Sequence, residues 1–178
     1  MDWTVKLQTE DMGYIEVTDL NGQGPYIYRV NHVHMHGPSE HKLDGRQEDL
    51  EIHIVHELVD GPGDWRNYKE KLAVVGVLFR VDEKSHPFIE KLRPLDFGEI
   101  EAIDLSELIG EGNLYHYKGS LTNPPCADVV NWLVQTRVLP ISKEHLESFR
   151  DIWYEYLGHG NFRDCQPLCE RRVVRNFH

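Results

Sequence analysis

Histidines are concentrated in one short part of this sequence. The chain has 178 residues, eleven of them are histidine, and six of these fall between positions 32 and 56. Because His34 and His36 alternate with Met35, both side chains would project from the same face of a β-strand. Imidazole nitrogens bind Zn²⁺ at about 2.0–2.1 Å, and three such ligands leave a fourth position for water. The pair therefore indicates a catalytic zinc site, provided that a third histidine lies beside it.

His53 is the candidate for the third ligand. It lies in residues 50–56, a run that predicts a second strand, where Glu51, His53 and Val55 share one face. The ring nitrogen that does not bind the metal needs an acceptor, and Glu51 or a nearby carbonyl could serve. Two histidines from one strand and one from its neighbour can converge on a single ion.

Three further histidines of the cluster also need an assignment. His32 lies two residues before His34, so its side chain would project from the same face of the strand. It could therefore be a ligand or a residue at the rim of the site. His56 falls on the opposite face of its strand from His53, which favours a structural role. His41 has no clear assignment from its position.

A second candidate for chemistry is the turn-forming stretch at residues 119–125. It could be a tight loop that merely carries a hydroxyl group. In the alternative, catalytic interpretation, the Thr122 hydroxyl accepts a hydrogen bond from a metal-bound hydroxide and donates one to a carboxylate such as Glu40. Spacing alone cannot show that this loop reaches the histidines.

Strand patterns must position these groups. Two β-branched and aromatic segments are separated by the turn dipeptide Asp44-Gly45, which predicts antiparallel neighbours. The predicted strands cover residues 26–36, 50–56, 72–79 and 129–134, and Val5 and Leu7 lie in a further strand-like stretch.

The clearest helix is predicted over residues 143–157, with Ser142 as its N-cap and Gly158 after its last turn. Residues 83–92, interrupted at Pro87, and residues 105–109 are short helical candidates. Many strands with few helices predict a mainly β or α+β domain.

Charge narrows the range of partners. Nineteen Lys and Arg against 30 Asp and Glu give a net charge of −11. The phosphates of a nucleic acid or an anionic membrane would repel such a chain, so neither is an expected partner. No run approaches the roughly 18 apolar residues of a transmembrane segment. Three cysteines are too few for a disulfide framework.

Three motifs together resemble the α-class carbonic anhydrases. They are residues 34–41 (HMHGPSEH), 50–56 (LEIHIVH) and 119–125 (GSLTNPP), in this order. The resemblance implies a mainly β (α+β) fold with a large, mostly antiparallel, twisted central sheet and a few short peripheral helices. It also implies that residues 1–178 form a single domain, which lacks the N-terminal third of the family's domain.

The resemblance also implies the site residues. Zn²⁺ would be bound by His34, His36 and His53, and Thr122 with Glu40 would orient a zinc-bound hydroxide that attacks CO2 to give bicarbonate and a proton. Glu51 and Tyr117 would support the ligands and the threonine loop. The implied substrate pocket consists of Val55, Val74, Leu121, Asn123, Val130 and Trp132.

Several positions depart from the family pattern. The segment that carries the family's proton-shuttle histidine has no counterpart, and its position falls near Trp3. His32 replaces a glutamine at the pocket rim. Cys126 stands where secreted members carry a cysteine that pairs near their N-terminus, which weakly indicates an extracytoplasmic branch. We expect a partner chain or a missing N-terminal segment to complete the sheet.

Two alternatives to the enzyme remain open from the sequence. The first is a carbonic-anhydrase-related module that is weakly active or non-catalytic and serves binding or assembly. The second is a cupin, because His34, His36 and Glu40 also match the first metal motif of that class. A cupin would need glycine where Tyr28 stands and a later histidine motif that is not found.

Overall fold

The computed structural model of the protein describes residues 13–92, 104–109 and 113–176. Val5, Leu7 and Trp3 lie outside these residues. In chain order, the strands are β1 (Tyr14–Val17), β2 (Tyr26–His36), β3 (Lys42–Leu43), β4 (Arg46–Gln47), β5 (Leu50–Asp60), β6 (Leu72–Asp82), β7 (Leu114–Gly119), β8 (Val130–Ser142) and β9 (Val173–Asn176).

Seven of these strands form one sheet in the order β1-β2-β5-β6-β8-β7-β9. Strands β6 and β8 run parallel, and the other neighbours are antiparallel. The mainly β fold with a mostly antiparallel central sheet is thus confirmed, although the sheet is mixed. Each of the four strands predicted within the described residues is present.

The hairpin region sets the register of the histidines. Strands β2 and β5 pair antiparallel as predicted, with His34 directly opposite His53 and His36 opposite Glu51. Asp44 and Gly45 have φ angles of 51° and 80°, which suit a tight turn between β3 and β4, a separate two-stranded sheet. The predicted turn therefore closes a small hairpin inserted between the two long strands.

Two α-helices accompany the sheet in the described part of the chain. Helix α2 (Lys143–Leu157) matches its prediction: the Ser142 hydroxyl accepts a hydrogen bond from His145 N, and Gly158 ends the helix at a φ of 73°. Helix α1 (Pro87–Lys91) begins at Pro87 rather than at residue 83, because proline suits the first helical position. Single 3₁₀ turns cover Trp65–Asn67 and Leu105–Glu107. None of the helices described has the length and apolar character needed to cross a bilayer.

Both faces of the sheet are packed. Helix α2 contributes Leu146, Phe149 and Trp153 to the larger cluster on one face. The opposite face carries a smaller apolar cluster together with His34 and His53. Alternation along β5 separates these environments, so that Ile52 and Ile54 enter the larger cluster while His53 faces the smaller one.

His56, which faces away from His53 on β5, should make the stability of the protein depend on pH. It is 1 % exposed, and burial lowers its pKa from 6.5 to about 4. The unfolded chain therefore gains a proton between these values that the folded chain does not take up. The stability contribution is fully present above pH 6.5 and is lost as the pH falls towards 4. We expect His56 to lower the free energy of unfolding by about 2 kcal/mol between pH 7 and pH 5.

The measurement is urea denaturation across this pH range for the wild type and for His56→Asn, which cannot titrate. Between pH 7 and pH 5, the free energy of unfolding of His56→Asn should fall by about 2 kcal/mol less than that of the wild type. Parallel pH curves for the two proteins would contradict a neutral, buried His56.

Candidate metal centre

The three predicted ligands converge within the sheet. Nitrogen atoms of His34, His36 and His53 all lie within 4.8 Å of one another, and all three residues are buried. His34 Nε2 and His53 Nδ1 are 3.3 Å apart. Two ligands of a tetrahedral zinc ion, each at about 2.0–2.1 Å, are separated by about the same distance. The spacing of these two atoms therefore fits a zinc ion between them.

Hydrogen bonds fix which ring nitrogens face this centre. His36 Nδ1 lies 2.5 Å from Asn161 O, and His53 Nε2 lies 3.0 Å from Glu51 Oε1. A carbonyl or carboxylate oxygen can only accept, so each of these nitrogens carries the proton. The lone pairs of His36 Nε2 and His53 Nδ1 then point towards the centre. This tautomer is the one that a metal ligand requires.

Burial reinforces the fit. Within the part of the chain that the structure describes, the buried His36 Nε2 has no hydrogen-bond partner. An unsatisfied buried nitrogen is costly unless something else coordinates it. Burial also lowers the pKa of His36, which keeps its imidazole neutral. Burial would lower the pKa of His53 as well, but the neighbouring Glu51 raises it. A metal ion bound at His53 Nδ1 would take the place of a proton there, and imidazole nitrogens are ligands that suit zinc.

Glu51 is the centre of the supporting network. Its Oε2 accepts hydrogen bonds from Glu40 N and His41 N, both at 2.9 Å. Its Oε1 accepts from His41 Nδ1 at 2.6 Å and from His53 Nε2 at 3.0 Å. Burial alone would raise the pKa of Glu51, but the neighbouring His41 and His53 hold that pKa well below its usual value. The carboxylate therefore stays ionised in the interior.

His41 is a supporting residue to which sequence reasoning gave no role. Because its Nδ1 donates to Glu51, its Nε2 accepts from the Tyr117 hydroxyl at 2.6 Å. Burial raises the pKa of Tyr117, so the hydroxyl keeps its proton. Tyr117, predicted to support the threonine loop, is thus joined to His53 through His41 and Glu51. His41, Glu51 and His53 also lie close enough to hold a metal ion, but their facing atoms are engaged in these hydrogen bonds.

Asn161 was also given no role from the sequence. Its carbonyl accepts from His36, its side-chain Oδ1 accepts from Gly37 N at 3.0 Å, and its Nδ2 donates to Met35 O at 2.9 Å. Asn161 therefore binds the end of β2 at three points. A partner 125 residues away in sequence gives no local pattern that could reveal it.

Glu40 lies at the edge of the centre. Its Oε1 accepts from Arg163 N at 2.7 Å, while its Oε2 is 3.4 Å from His36 Nε2 and 3.9 Å from His53 Nδ1. That Oε2 has no hydrogen-bond partner in the structure. Glu40 and Thr122 both line a cavity of about 400 Å³, and the hydrogen bond expected between them stays a prediction.

An apolar wall adjoins the histidines. Trp132 is central to it: its ring centroid is 4.8 Å from that of His53, and its Nε1 donates to Ser120 O at 3.1 Å. Five of the six predicted pocket residues belong to the same apolar cluster: Val55, Val74, Leu121, Val130 and Trp132.

The sixth pocket residue, Asn123, is half-buried in the loop after β7, where its carbonyl accepts from Cys126 N at 2.9 Å. Cys126, Cys165 and Cys169 are all free thiols. His32 is half-buried, with its ring centroid 5.1 Å from that of His34. It is not part of the group of three converging histidines.

Gly76 offers a test of how tightly Glu51 is held. It lies opposite His53 on β6, and a Cβ placed there would come within 2.7 Å of Glu51 Oε1. Because four hydrogen bonds hold that carboxylate, we expect Gly76→Ala to disturb the tautomer of His53 and to weaken zinc binding roughly tenfold. The measurement is zinc affinity by competition with a chromogenic chelator.

The matched control is the double variant Gly76→Ala/Glu51→Asp, whose shorter side chain makes room for the methyl group. Glu51→Asp alone should bind zinc more weakly than the wild type, and adding Gly76→Ala should cost it little more. An additive loss in the double variant would show that the methyl group acts elsewhere.

Comparison with known proteins places this chain in a family. The profile of the eukaryotic-type carbonic anhydrase family matches residues 2–177. The chain is 34% identical to alpha carbonic anhydrase 3 of Arabidopsis thaliana, over 98% of this chain and 60% of that protein. It is 35% identical to dioscorin dioA3 of Dioscorea japonica, over 95% of this chain and 64% of that protein. The chain thus spans less than two thirds of the length of either relative.

Solved structures show the same likeness. The α-carbonic anhydrase of Thermovibrio ammonificans, in complex with the inhibitor sulfanilamide, superposes with a TM-score of 0.76 at 32% identity, covering 96% of this chain and 70% of that one. Dioscorin complexed with ascorbate gives a TM-score of 0.77 at 27% identity, covering 98% and 70%. The family profile, the shared sheet and the three converging histidines lead to one conclusion: the chain belongs to the eukaryotic-type carbonic anhydrase family.

Proposed function

We propose that this chain catalyses the zinc-dependent, reversible hydration of CO2 to bicarbonate and a proton. The observation that carries the proposal is the convergence of three buried histidines, two of which have their outer ring nitrogens already engaged. His36 donates to Asn161 O and His53 donates to Glu51. The inward-facing nitrogens of His36 and His53 therefore carry the lone pairs that a metal ion requires.

His34, His36 and His53 would hold the ion. When bound, zinc supplies a Lewis acid that makes water ionise near neutral pH, an effect for which carbonic anhydrases are the standard example. Glu51 and Asn161 keep two of the imidazoles in the required tautomer. The negative charge on Glu51 also strengthens the basicity of His53.

Thr122 and Glu40 would orient the nucleophile. Glu40 is held by Arg163 N through one oxygen, which leaves Oε2 as an acceptor close to His36 and His53. A threonine hydroxyl that donates to this oxygen can only accept from the nucleophile. That arrangement would turn a lone pair of the nucleophile towards the substrate.

The apolar wall would accept CO2. The substrate is small and has no charge, so it needs a dry surface rather than an ion pair. Val55, Val74 and Val130 are buried beside Trp132, whose indole N–H is already satisfied by Ser120 O. These side chains exclude water on the side from which CO2 approaches.

A second candidate function is a module that binds zinc or a small ligand without efficient turnover. Two observations favour it: Glu40 Oε2 accepts no hydrogen bond within the described residues, and one similar protein, dioscorin, was solved in complex with a small ligand, ascorbate. The same three histidines would serve both functions, so the metal alone does not separate them.

The test combines metal content with turnover. The purified chain is loaded with zinc, dialysed, and assayed for CO2 hydration by stopped-flow with and without sulfanilamide. One equivalent of zinc with inhibitable hydration supports the proposal. One equivalent of zinc without hydration supports the binding module. Failure to retain zinc contradicts the enzyme and any module that binds zinc, and leaves only a module that binds a small ligand without the metal.

A further inference from the structure

Ser39, the residue before Glu40, is held at each of its polar atoms and is fully buried. Its N–H donates to Glu48 O at 3.0 Å, and its hydroxyl accepts from Glu48 N at 2.9 Å. The same hydroxyl donates to His41 O at 2.7 Å, and the Ser39 carbonyl accepts from Gln47 Nε2 at 2.7 Å. Strand β4 and the residue after it therefore fix the backbone that leads into Glu40.

The side chain of Glu48 is anchored in turn to β6. Its carboxylate is 1% exposed and accepts hydrogen bonds from Arg80 Nε at 2.8 Å and from Arg80 Nη2 at 2.5 Å. Donation from Arg80 holds the pKa of Glu48 below its usual value, so the buried carboxylate stays ionised. A pair with two hydrogen bonds fixes orientation as well as distance. Arg80 therefore determines where Glu48, and with it Ser39, lies relative to the sheet.

Glu40 depends on this backbone because of its task in the proposed reaction. Its Oε1 accepts from Arg163 N, whereas its Oε2, at 3.4 Å from His36 Nε2, is the atom to which Thr122 would donate. A carboxylate that is held by one oxygen still shifts when the backbone at its base moves. A displacement of about 1 Å at such a group can cost up to a hundredfold in rate.

We propose that Arg80 is a positioning residue, which acts through Glu48 and Ser39 to hold Glu40 in the orientation that hydration of CO2 needs. The path consists of one ion pair, two backbone hydrogen bonds and one peptide bond. The side chain of Arg80 is 42% exposed, so a residue at the surface of the protein sets the geometry of a buried site. The inference rests on the proposed function, because that function gives Glu40 its task.

The test variant is Arg80→Met, which removes both hydrogen bonds to Glu48. The neighbouring Asp49 still pairs with β6, through Asp49 N to Phe79 O at 3.0 Å and Val81 N to Asp49 Oδ2 at 2.7 Å, so the variant should fold. In the zinc-loaded protein, the kcat of CO2 hydration should fall about tenfold. The KM and the zinc affinity should stay unchanged, because the apolar wall and the three histidines are not altered.

A second measurement needs neither turnover nor metal. In the zinc-free protein, amide hydrogen exchange at residues 39–41 should become several-fold faster in Arg80→Met, because their anchor to β6 is lost. Exchange at Trp132 and Val134, on β8, should keep its rate. This difference separates a local release of the Glu40 backbone from a general loss of stability.

Arg46→Met is the matched control. Arg46 Nε lies 3.7 Å from Glu48 Oε1, beyond hydrogen-bond distance, and its side chain is 60% exposed. This variant removes the same charge beside the same carboxylate and should leave both measurements unchanged. The double variant Arg80→Met/Glu48→Gln no longer buries an unpaired charge. It should be more stable than Arg80→Met in urea denaturation, but its kcat should stay low.

Three outcomes would overturn the proposal. The first is a wild-type kcat in Arg80→Met, and the second is equally faster exchange on β8. The third is a double variant that regains the wild-type kcat together with its stability, since stability alone would then explain the loss. A zinc-loaded wild type that does not hydrate CO2 contradicts the proposed function. Unchanged exchange at residues 39–41 contradicts the link between Arg80 and Glu40 whether or not the wild type is active.

Discussion

Replacing His53 with alanine should reduce zinc binding by on the order of a hundred- to a thousandfold, because structural zinc sites owe roughly 3 kcal/mol to each of their ligands. The two remaining histidines lie on β2 and cannot enclose an ion from the side of β5. Hydration of CO2 should fall with the metal. Zinc content after dialysis and stopped-flow hydration measure the two effects independently.

His56→Asn is the matched control, since His56 lies on the same strand but faces the opposite side of the sheet. It should retain one equivalent of zinc. If His53→Ala also retained one equivalent, the assignment of this ligand would be wrong. If His56→Asn lost the metal as well, general destabilisation of β5 would explain both results.

Glu51→Gln should combine a loss of stability with a loss of metal affinity. The carboxylate accepts four hydrogen bonds, whereas an amide offers one acceptor oxygen and one NH2 donor. Two of the four N–H groups that now donate to the carboxylate would then face the NH2 group of the amide, which cannot accept. We expect the free energy of unfolding to fall by about 3–5 kcal/mol and zinc affinity to fall by about 10–100-fold.

Urea denaturation and chelator competition are the measurements, with Glu57→Gln as control. Glu57 is an exposed residue of β5 whose carboxylate accepts a single hydrogen bond from Asn31. Its replacement should change stability by less than about 1 kcal/mol and leave zinc affinity intact. Equal effects of the two substitutions would contradict a special role for Glu51.

The predictable part of this site has short-range causes. Parity along β2 places His34 and His36 on one face, and the antiparallel pairing places His53 opposite them. Helix α2 was likewise predictable, because Ser142 and Gly158 mark its ends with residue types that have a physical reason to be there.

The unpredictable part depends on contacts distant in sequence. Asn161 contributes a backbone carbonyl to His36, and a carbonyl is present in every residue type. The role of His41 depends on how the chain turns after β2, and strand parity does not describe that turn. The parallel pairing of β6 with β8 joins segments separated by a long connection, so the apolar character of both strands could not identify them as neighbours.

The arrangement of Asn161 has a consequence for the order of folding. The ligands His34 and His53 are 19 residues apart, whereas His36 and Asn161 are 125 residues apart. Loops close with an entropy cost that grows with their length, so the β2–β5 hairpin can form well before the C-terminal segment docks. A zinc ion would then meet its three imidazoles early, while the ring of His36 is still free to rotate. Metal affinity would rise in two stages during folding. The second stage would come when Asn161, which does not touch the metal, docks and fixes the ring of His36.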